Sequence, residues 1–226
     1  MIMKKKLKNI LIVGAGGHAK VVIDIIKCEG KYNIIGIIDN KFSKKDNFLN
    51  YKILGNEDEI PEIIDEFKVH GCVVAIGDNF VRSVVVKKIE NQSSKIQFIN
   101  CIHPSSCIAF DIKIGVGNVI MAGTTINTSS QIGNHCIINT NSSIDHDNKI
   151  FNFVSIAPNA AIGGNVNIDE YSAIGIGASV IHNISVGHNC VIGANSLVIA
   201  DTKSNSVYYG LPAKNIRKRK QGEKYL

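Results

Sequence analysis

A small Rossmann-like parallel α/β domain followed by a parallel β-helix of hexapeptide repeats is the fold class the sequence predicts, on three observations. Every sixth residue from Ile102 to Val198 is Ile or Val, without a break. Four residues beyond each comes a mostly small side chain, as at Thr124, Ser130, Cys136, Ser142, Ala160, Ser172, Ala178, Cys190 and Ser196. Before Ile102, apolar runs of strand length alternate with segments of helical period, which marks an α/β layer arrangement. A period of six suits neither a helix nor a hairpin sheet. It suits a β-helix in which each hexad is a short strand plus a corner and three hexads close a triangular coil. The Ile/Val column then points into the prism and stacks at about 4.8 Å per coil. A generic β-rich domain would instead alternate at period two with turns every ~8–12 residues, and that pattern is absent.

Taken in order, Lys8 to Val13 is a first apolar strand, followed by Gly14-Ala15-Gly16-Gly17-His18-Ala19 and a helix from Lys20 to about Glu29. Ile34 to Ile38 is a second strand that ends at Asp39-Asn40, and the mostly polar stretch Lys41 to Asn50 reads as a loop. A helix over Asn56 to Lys68 takes Asn56 as its cap, with acidic residues in its early turns. Cys72 to Ile76 is a third strand closed by Gly77-Asp78-Asn79, Phe80 to about Asn91 a third helix, and Ile96 to Ile102 a fourth strand that hands over to the repeats near His103-Pro104. The expected organisation is an α/β domain over 1–101, a β-helix over 102–206 and a cap with a basic tail over 207–226. In that last segment Val207 to Lys214 breaks the hexad rule and closes the prism, blunting its open edge.

Composition narrows the function classes. A chain of 226 residues holds one large or two small domains. Its longest apolar runs fall far short of the ~20 residues of a membrane span. Met1 to Val13 has lysines followed by apolar residues, as a signal peptide does, but the apolar part is short and breaks at the glycines, so it is read as a strand. The six cysteines form no CxxC pair. Cys136 and Cys190 lie three coils apart on one column, roughly 14 Å, too far to bridge, and reduced structural thiols of a cytosolic protein fit best. The net charge of +6 sits largely at the ends, in Lys4, Lys5, Lys6 and Lys8 and in Lys214, Arg217, Lys218, Arg219 and Lys220. The second cluster is either a solvated tail or a phosphate contact. No aromatic or groove-reading motif accompanies it, which argues against nucleic acid.

Two places carry chemistry. Gly14-x-Gly16-x-x-Ala19 lies between a strand and a helix, where glycines admit a close ligand and the helix start offers N–H groups to a phosphate. Asp39 ends the next strand, 20 residues past Ala19, where a ribose-binding carboxylate belongs. An NAD-dependent enzyme, a site for a single nucleotide and a bare glycine turn are all compatible with this string. The strands are too few for both halves of a dinucleotide fold, which favours the single nucleotide, and His18 is placed to contact its phosphate. In the repeats, residues 18 apart share a corner one coil apart. His146, Gly164 and His182 therefore form one column, with the Gly164 backbone roughly 5 Å from that of His146. A general base beside a backbone N–H free of any side chain offers two of the parts of acyl transfer. Asp145 or Asp147 could hold the ring. An exposed corner histidine with no role is the plain alternative, since His135, His182 and His188 also lie on repeats. No spacing gathers three histidines for a metal.

With these residues, the whole chain resembles the bacterial nucleotide-sugar N-acetyltransferases of the bacillosamine and perosamine N-acetyltransferase type, within the sialic acid O-acetyltransferase-like, hexapeptide-repeat sugar acyltransferases. The matching strings are Gly14-Ala15-Gly16-Gly17-His18, Asp39-Asn40, Ala75-Ile76-Gly77-Asp78-Asn79 with Arg82, His103-Pro104, Asn139-Thr140, His146-Asp147, Gly164-Asn165-Val166 and Gly210-Leu211-Pro212-Ala213-Lys214. The resemblance implies a left-handed β-helix, against the usual right-handed crossover. It also implies a homotrimer with acetyl-CoA as co-substrate in a groove between neighbouring helices, and no metal. His146 is then the general base, Asp147 steadies it, and the Gly164 N–H faces the thioester carbonyl. Gly14, Gly16, Gly17, His18, Asp39, Asn40, Gly77, Asn79, Arg82 and Asn139 would bind a UDP-, dTDP- or GDP-linked sugar. Ser155, Gly164, Gly175, Gly193, Ala194, Pro212 and Lys214 would bind the cofactor. Two strings depart from the pattern: Phe153-Val154-Ser155 has Ser155 where many relatives have a histidine near the acetyl group, and Ile150-Phe151 stands for the usual Ile-Gly. The implied activity is acetylation of the amine of a 4-amino-4,6-dideoxy sugar in the cytoplasm, for surface glycans such as O-antigen lipopolysaccharide. Sugar O-acetylation and a non-catalytic nucleotide-binding scaffold are the alternatives.

Overall fold

The computed structural model describes residues 7–93 and 96–225, so the charges of Lys4, Lys5 and Lys6 lie outside the described residues. The chain opens with β1 (Lys8–Val13), α1 (Gly17–Glu29) and β2 (Tyr32–Ile38). The expected loop after β2 holds a small antiparallel hairpin, β3 (Asn47–Phe48) and β4 (Tyr51–Gly55). Only β3, two residues long and in the polar stretch, carries no alternation; β4 is partly buried and pairs with β2 in the main sheet. Next come α2 (Ile60–Phe67), β5 (Gly71–Val74), α3 (Asn79–Gln92) and β6 (Gln97–Phe98). Asn56 does cap, but the turn it starts is 3-10 over Glu57–Glu59, closed by a reciprocal bond with Glu59 before Pro61 begins the α-helix. The sheet order β3-β4-β2-β1-β5-β6 is that of a small Rossmann-like domain, with Ile10, Ile12, Val22, Ile26 and Val73 in one apolar layer and Leu11, Val13, Ile60, Val86 and Ile89 in the other.

From Cys101 onward each hexad contributes one two-residue rung, β7 (Cys101–Ile102) through β23 (Leu197–Val198). The expected fourth strand is thus two pieces. Gln97–Phe98 ends the α/β sheet, and Cys101–Ile102 is already the first rung, pairing with Val119–Ile120. The rungs stack as three parallel sheets, the faces of a left-handed β-helix. The first face carries Val119, Ile137, Ser155, Ala173 and Val191; the second Thr125, Ser143, Ala161 and Ser179; the third Gln131, Lys149, Asn167 and Ser185. The Ile/Val column is buried from Ile120 to Val198. The small residues sit behind it and stitch coils together: Ser130 Oγ donates to Asp145 O and accepts from the Asn148 N–H.

From Gly117 to Asn195 each corner turns through one left-handed residue, commonly Asn, as at Asn141, Asn159, Asn165, Asn183 and Asn195, since Asn tolerates positive φ better than most residues. The corner between the third and first faces differs. His135, Phe153 and Tyr171 occupy its left-handed positions, an unfavourable conformation for bulky side chains. Their rings stack in one column, 5.2 and 5.3 Å between centroids, with Phe98 edge-on to His135 at 4.6 Å. Phe153 and Tyr171 belong to the same apolar cluster as Leu11, Val74 and Val86, so this column joins the α/β domain to the prism. After the last rung, β24 (Ser206–Gly210) extends the first face and folds back antiparallel as β25 (Ala213–Lys218).

Candidate active site

At the corner between the second and third faces, the repeat sets His146 over Gly164. A Cβ on Gly164 would lie 2.6 Å from both Cε1 and Nε2 of the imidazole, so only glycine leaves room for the ring. The Asn165 N–H donates to His146 O at 2.9 Å and the Asn183 N–H to Gly164 O at 3.0 Å, which locks the coils in register. His146 Nδ1 lies 2.8 Å from Asp147 Oδ2. Asp145 takes a different task, accepting from the His146 N–H and from Asn127 Nδ2. The bond to Asp147, then the charge of Asp145, raises the His146 pKa above its ordinary value. Nε2 is left for a substrate, and the ring is exposed at 55%.

The glycine turn behaves as a ligand turn in part. A Cβ on Gly16 or Gly17 would meet no protein atom within 4 Å. A cavity of about 570 Å³ opens there, lined by Gly14, Gly16, Gly17, His18, Asn40 and Gly77 among others. Asp39 lines it too, but its carboxylate already accepts the Ala15 N–H at 2.7 Å and the Lys41 N–H at 2.8 Å, so it shapes the turn as well as facing the cavity. His18 lines this cavity with its Nε2 buried. Burial, then the charge of Arg82, pushes its pKa down to about 4, so at neutral pH it offers a hydrogen bond and no positive charge to a phosphate.

Two residues expected to touch substrate have another job. Arg82 is 1% exposed, and its guanidinium donates to Ile76 O, Gly77 O, His135 O, Phe153 O and Ser155 Oγ. Asn79, fully buried, donates from Nδ2 to Tyr171 O at 2.6 Å. Both reach from α3 to the carbonyls of the aromatic corner. They dock the two halves of the chain and do not line the glycine-turn cavity, because a buried guanidinium must find acceptors and the corner supplies them.

A second cavity of about 300 Å³ lies on the first face, between the prism and the α/β domain. It gathers Asn139, expected at the sugar, with Ser155, Gly175, Gly193 and Ala194, expected at the cofactor, and shares His18 and Gly77 with the glycine-turn cavity. Tyr209 and Tyr225 complete its lining. A Cβ on Gly193 would collide with the Tyr209 ring. Neither tyrosine was foreseen, since both lie past the last repeat where periodicity gives no placement; the pairing of β24 with β22 (Val191–Ile192) is what places Tyr209. Pro212 and Lys214 stand apart on the exposed hairpin. Within the described residues no group of His, Cys, Asp or Glu is arranged to hold a metal ion, and no helix is long and apolar enough to cross a membrane. All six cysteines are free thiols, and burial pushes Cys136 up to about 12.

A carboxylate-held imidazole over a bare peptide, on a prism built of hexads, places the chain among the hexapeptide-repeat acyltransferases, with the nucleotide-type turn pointing to the acceptor. Comparison with known proteins narrows this. Residues 9–89 match the PglD N-terminal domain family. The chain is 34% identical over 116 residues to the UDP-N-acetylbacillosamine N-acetyltransferase of Bacillus subtilis, a stretch that covers 51% of this chain and 52% of that enzyme. The alignment thus spans about half the length of that curated relative. Among solved structures, a variant of the GDP-perosamine N-acetyltransferase of Caulobacter crescentus, in complex with CoA and GDP-perosamine, superposes with a TM-score of 0.88 at 30% identity over 94% of this chain and 99% of the other. The acetyltransferase domain of PglB from Neisseria gonorrhoeae, in complex with acetyl coenzyme A, superposes with a TM-score of 0.84 at 27% identity over 93% and 100%. The chain belongs to the nucleotide-sugar N-acetyltransferases of the bacillosamine and perosamine type.

Proposed function

We propose that the protein transfers acetyl from acetyl-CoA to the 4-amino group of a nucleotide-linked 4-amino-4,6-dideoxy sugar. The observation that carries this reading is the placement of His146, held by Asp147, over the bare backbone of Gly164. The neutral amine attacks the thioester carbonyl carbon, and His146 Nε2 takes the amine proton. The oxyanion is held by the Gly164 N–H; the C–S bond then breaks, and the CoA thiolate leaves and is protonated. Binding both substrates together makes the attack effectively intramolecular.

In a single chain the first-face cavity and His146 lie on different edges of the prism, and this supports a site shared between copies. In this reading three chains associate with their prisms side by side, and His146 of one copy meets the acceptor presented by the glycine-turn domain of the next. Acetyl-CoA lies in the groove between them, where the exposed Pro212 and Lys214 reach it. Exposed apolar residues on the third-face corners, Phe110 and Phe151, fit such an interface. Residues 1–101 serve the nucleotide, 102–206 the chemistry and 207–226 the cap, in a cytoplasmic enzyme of surface-glycan assembly. The test is turnover, read as thiol release, with UDP-, dTDP- and GDP-linked amino sugars beside their hydroxy counterparts. Acetylation of the hydroxy sugars alone, or no CoA binding at all, would overturn the assignment. Sedimentation of the free protein as a monomer would overturn the shared site.

A further inference from the structure

We propose that the C-terminal segment 219–225 is itself a wall of the acceptor site, with Lys224 supplying the cation for a diphosphate at the glycine turn and the Tyr225 hydroxyl facing the sugar. This rests on the nucleotide-sugar reading above.

The segment follows a defined path. Arg219 is 4% exposed; its guanidinium donates to the Asn189 carbonyl and side-chain oxygen and to Glu223 O, and it stands over the Tyr225 ring at 5.1 Å. Arg217 pairs with Glu223 at 2.6 Å, and the Lys220 N–H donates to the same carboxylate. Gly222 packs so closely on Phe80 of α3 that a Cβ would lie 2.9 Å from the ring. The segment is therefore held between α3 and the aromatic corner. From there it delivers Lys224 to the glycine-turn cavity and Tyr225 to the first-face cavity.

The charges and the open hydrogen bonds point to what would lie there. The ionised side chains lining the glycine-turn cavity are Asp39, Glu57 and Asp78 against Lys41 and Lys224. An anionic diphosphate is poorly received by three carboxylates and one lysine, and Lys224 is the side chain that redresses the balance. Arg82 is committed to carbonyls. Where the two cavities meet, His18 Nε2 is buried without a hydrogen-bond partner among the described residues. Tyr225 lines the first-face cavity with its hydroxyl in hydrogen-bond reach of the Asn79 backbone and of Ser155, whose Oγ already accepts from Arg82. Buried polar atoms seek partners, and a sugar hydroxyl or phosphate oxygen crossing this junction would bond His18 and pass the Tyr225 hydroxyl.

Calorimetric titration of UDP, dTDP and GDP into the full-length wild type, Lys224→Ala and Lys224→Glu tests the assignment. The nucleoside diphosphate that binds best should weaken about tenfold in Lys224→Ala, the loss of one charged hydrogen bond, and further in Lys224→Glu, while acetyl-CoA binds as before. Tyr225→Phe should raise KM for the nucleotide sugar without changing the affinity for the nucleoside diphosphate. If both Lys224 variants bind the nucleoside diphosphate as the wild type does, the proposal is overturned and the nucleotide-sugar reading stands. If the wild type binds none of the three, both fall together.

Discussion

His146 and Gly164 face each other across one turn of the prism, so closely that the imidazole occupies the space a Cβ on Gly164 would need. The imidazole is oriented from the other side by Asp147 at 2.8 Å. If this ring is the general base, His146→Ala should reduce kcat by about 10²–10⁴-fold with an unchanged melting temperature, since the ring is exposed and packs no core. A loss smaller than tenfold in a steady-state thiol-release assay would contradict the role.

Gly164→Ala separates geometry from chemistry. The new methyl displaces the imidazole, and a misplacement on the order of 1 Å costs about 10²-fold in rate. The contacted atoms are the far end of an exposed side chain, so folding should survive. Circular dichroism and kcat together check this; a variant of full activity would show that the ring acts from elsewhere.

The pH dependence follows from the raised His146 pKa, whose first cause is the bond to Asp147. The base works only when neutral, so activity should climb with pH through a value above the ordinary one for histidine. Asp147→Asn removes that cause, and the acid limb of the kcat/KM profile should move to lower pH. An unmoved limb would assign it to another group.

His135 predicts acid sensitivity. It is 3% exposed with Nδ1 unpartnered among the described residues, and burial, then the charge of Arg82, pushes its pKa down to about 4. A base whose folded pKa is depressed below 6.5 takes up protons first in the unfolded state, so stability falls as pH drops from about 6.5 to about 4. The full loss is roughly 3 kcal/mol. His135→Phe should abolish this part of the decline, because Phe153 already occupies the same left-handed position one coil on. Urea denaturation at several pH values reads it directly.

Arg82→Ala should destabilise the chain by about 3 kcal/mol or more, since it leaves several buried carbonyls without a donor. Arg82→Lys should rescue little, because an ammonium lacks the planar fork that reaches from Ile76 O to Phe153 O. Thermal unfolding checks both; an unchanged melting temperature would return Arg82 to the ligand site.

How much of this was legible in the sequence depended on periodicity. A strict hexad repeats identically whatever surrounds it, so the coil register, the buried Ile/Val column and the juxtaposition of His146 with Gly164 followed from counting alone. Spacing left Asp145 and Asp147 equal as partners of the ring, and only the resemblance favoured Asp147; side-chain direction at a left-handed corner sets Asp147 against it. In the hairpin at Asn47–Gly55 the first strand, two residues long, was too short to leave a pattern.

By itself, then, the sequence determined the two-part architecture and the column that places His146 beside Gly164, because short-range periodicity sets them. The tertiary structure decided what depends on one half meeting the other. It turned Asn79 and Arg82 into docking groups, since buried donors take the nearest free carbonyls. It left His18 neutral by removing it from water, and it brought Tyr209, Lys224 and Tyr225 beside cavities more than a hundred residues away along the chain from the glycine turn. No local spacing encodes contacts closed over so long a loop.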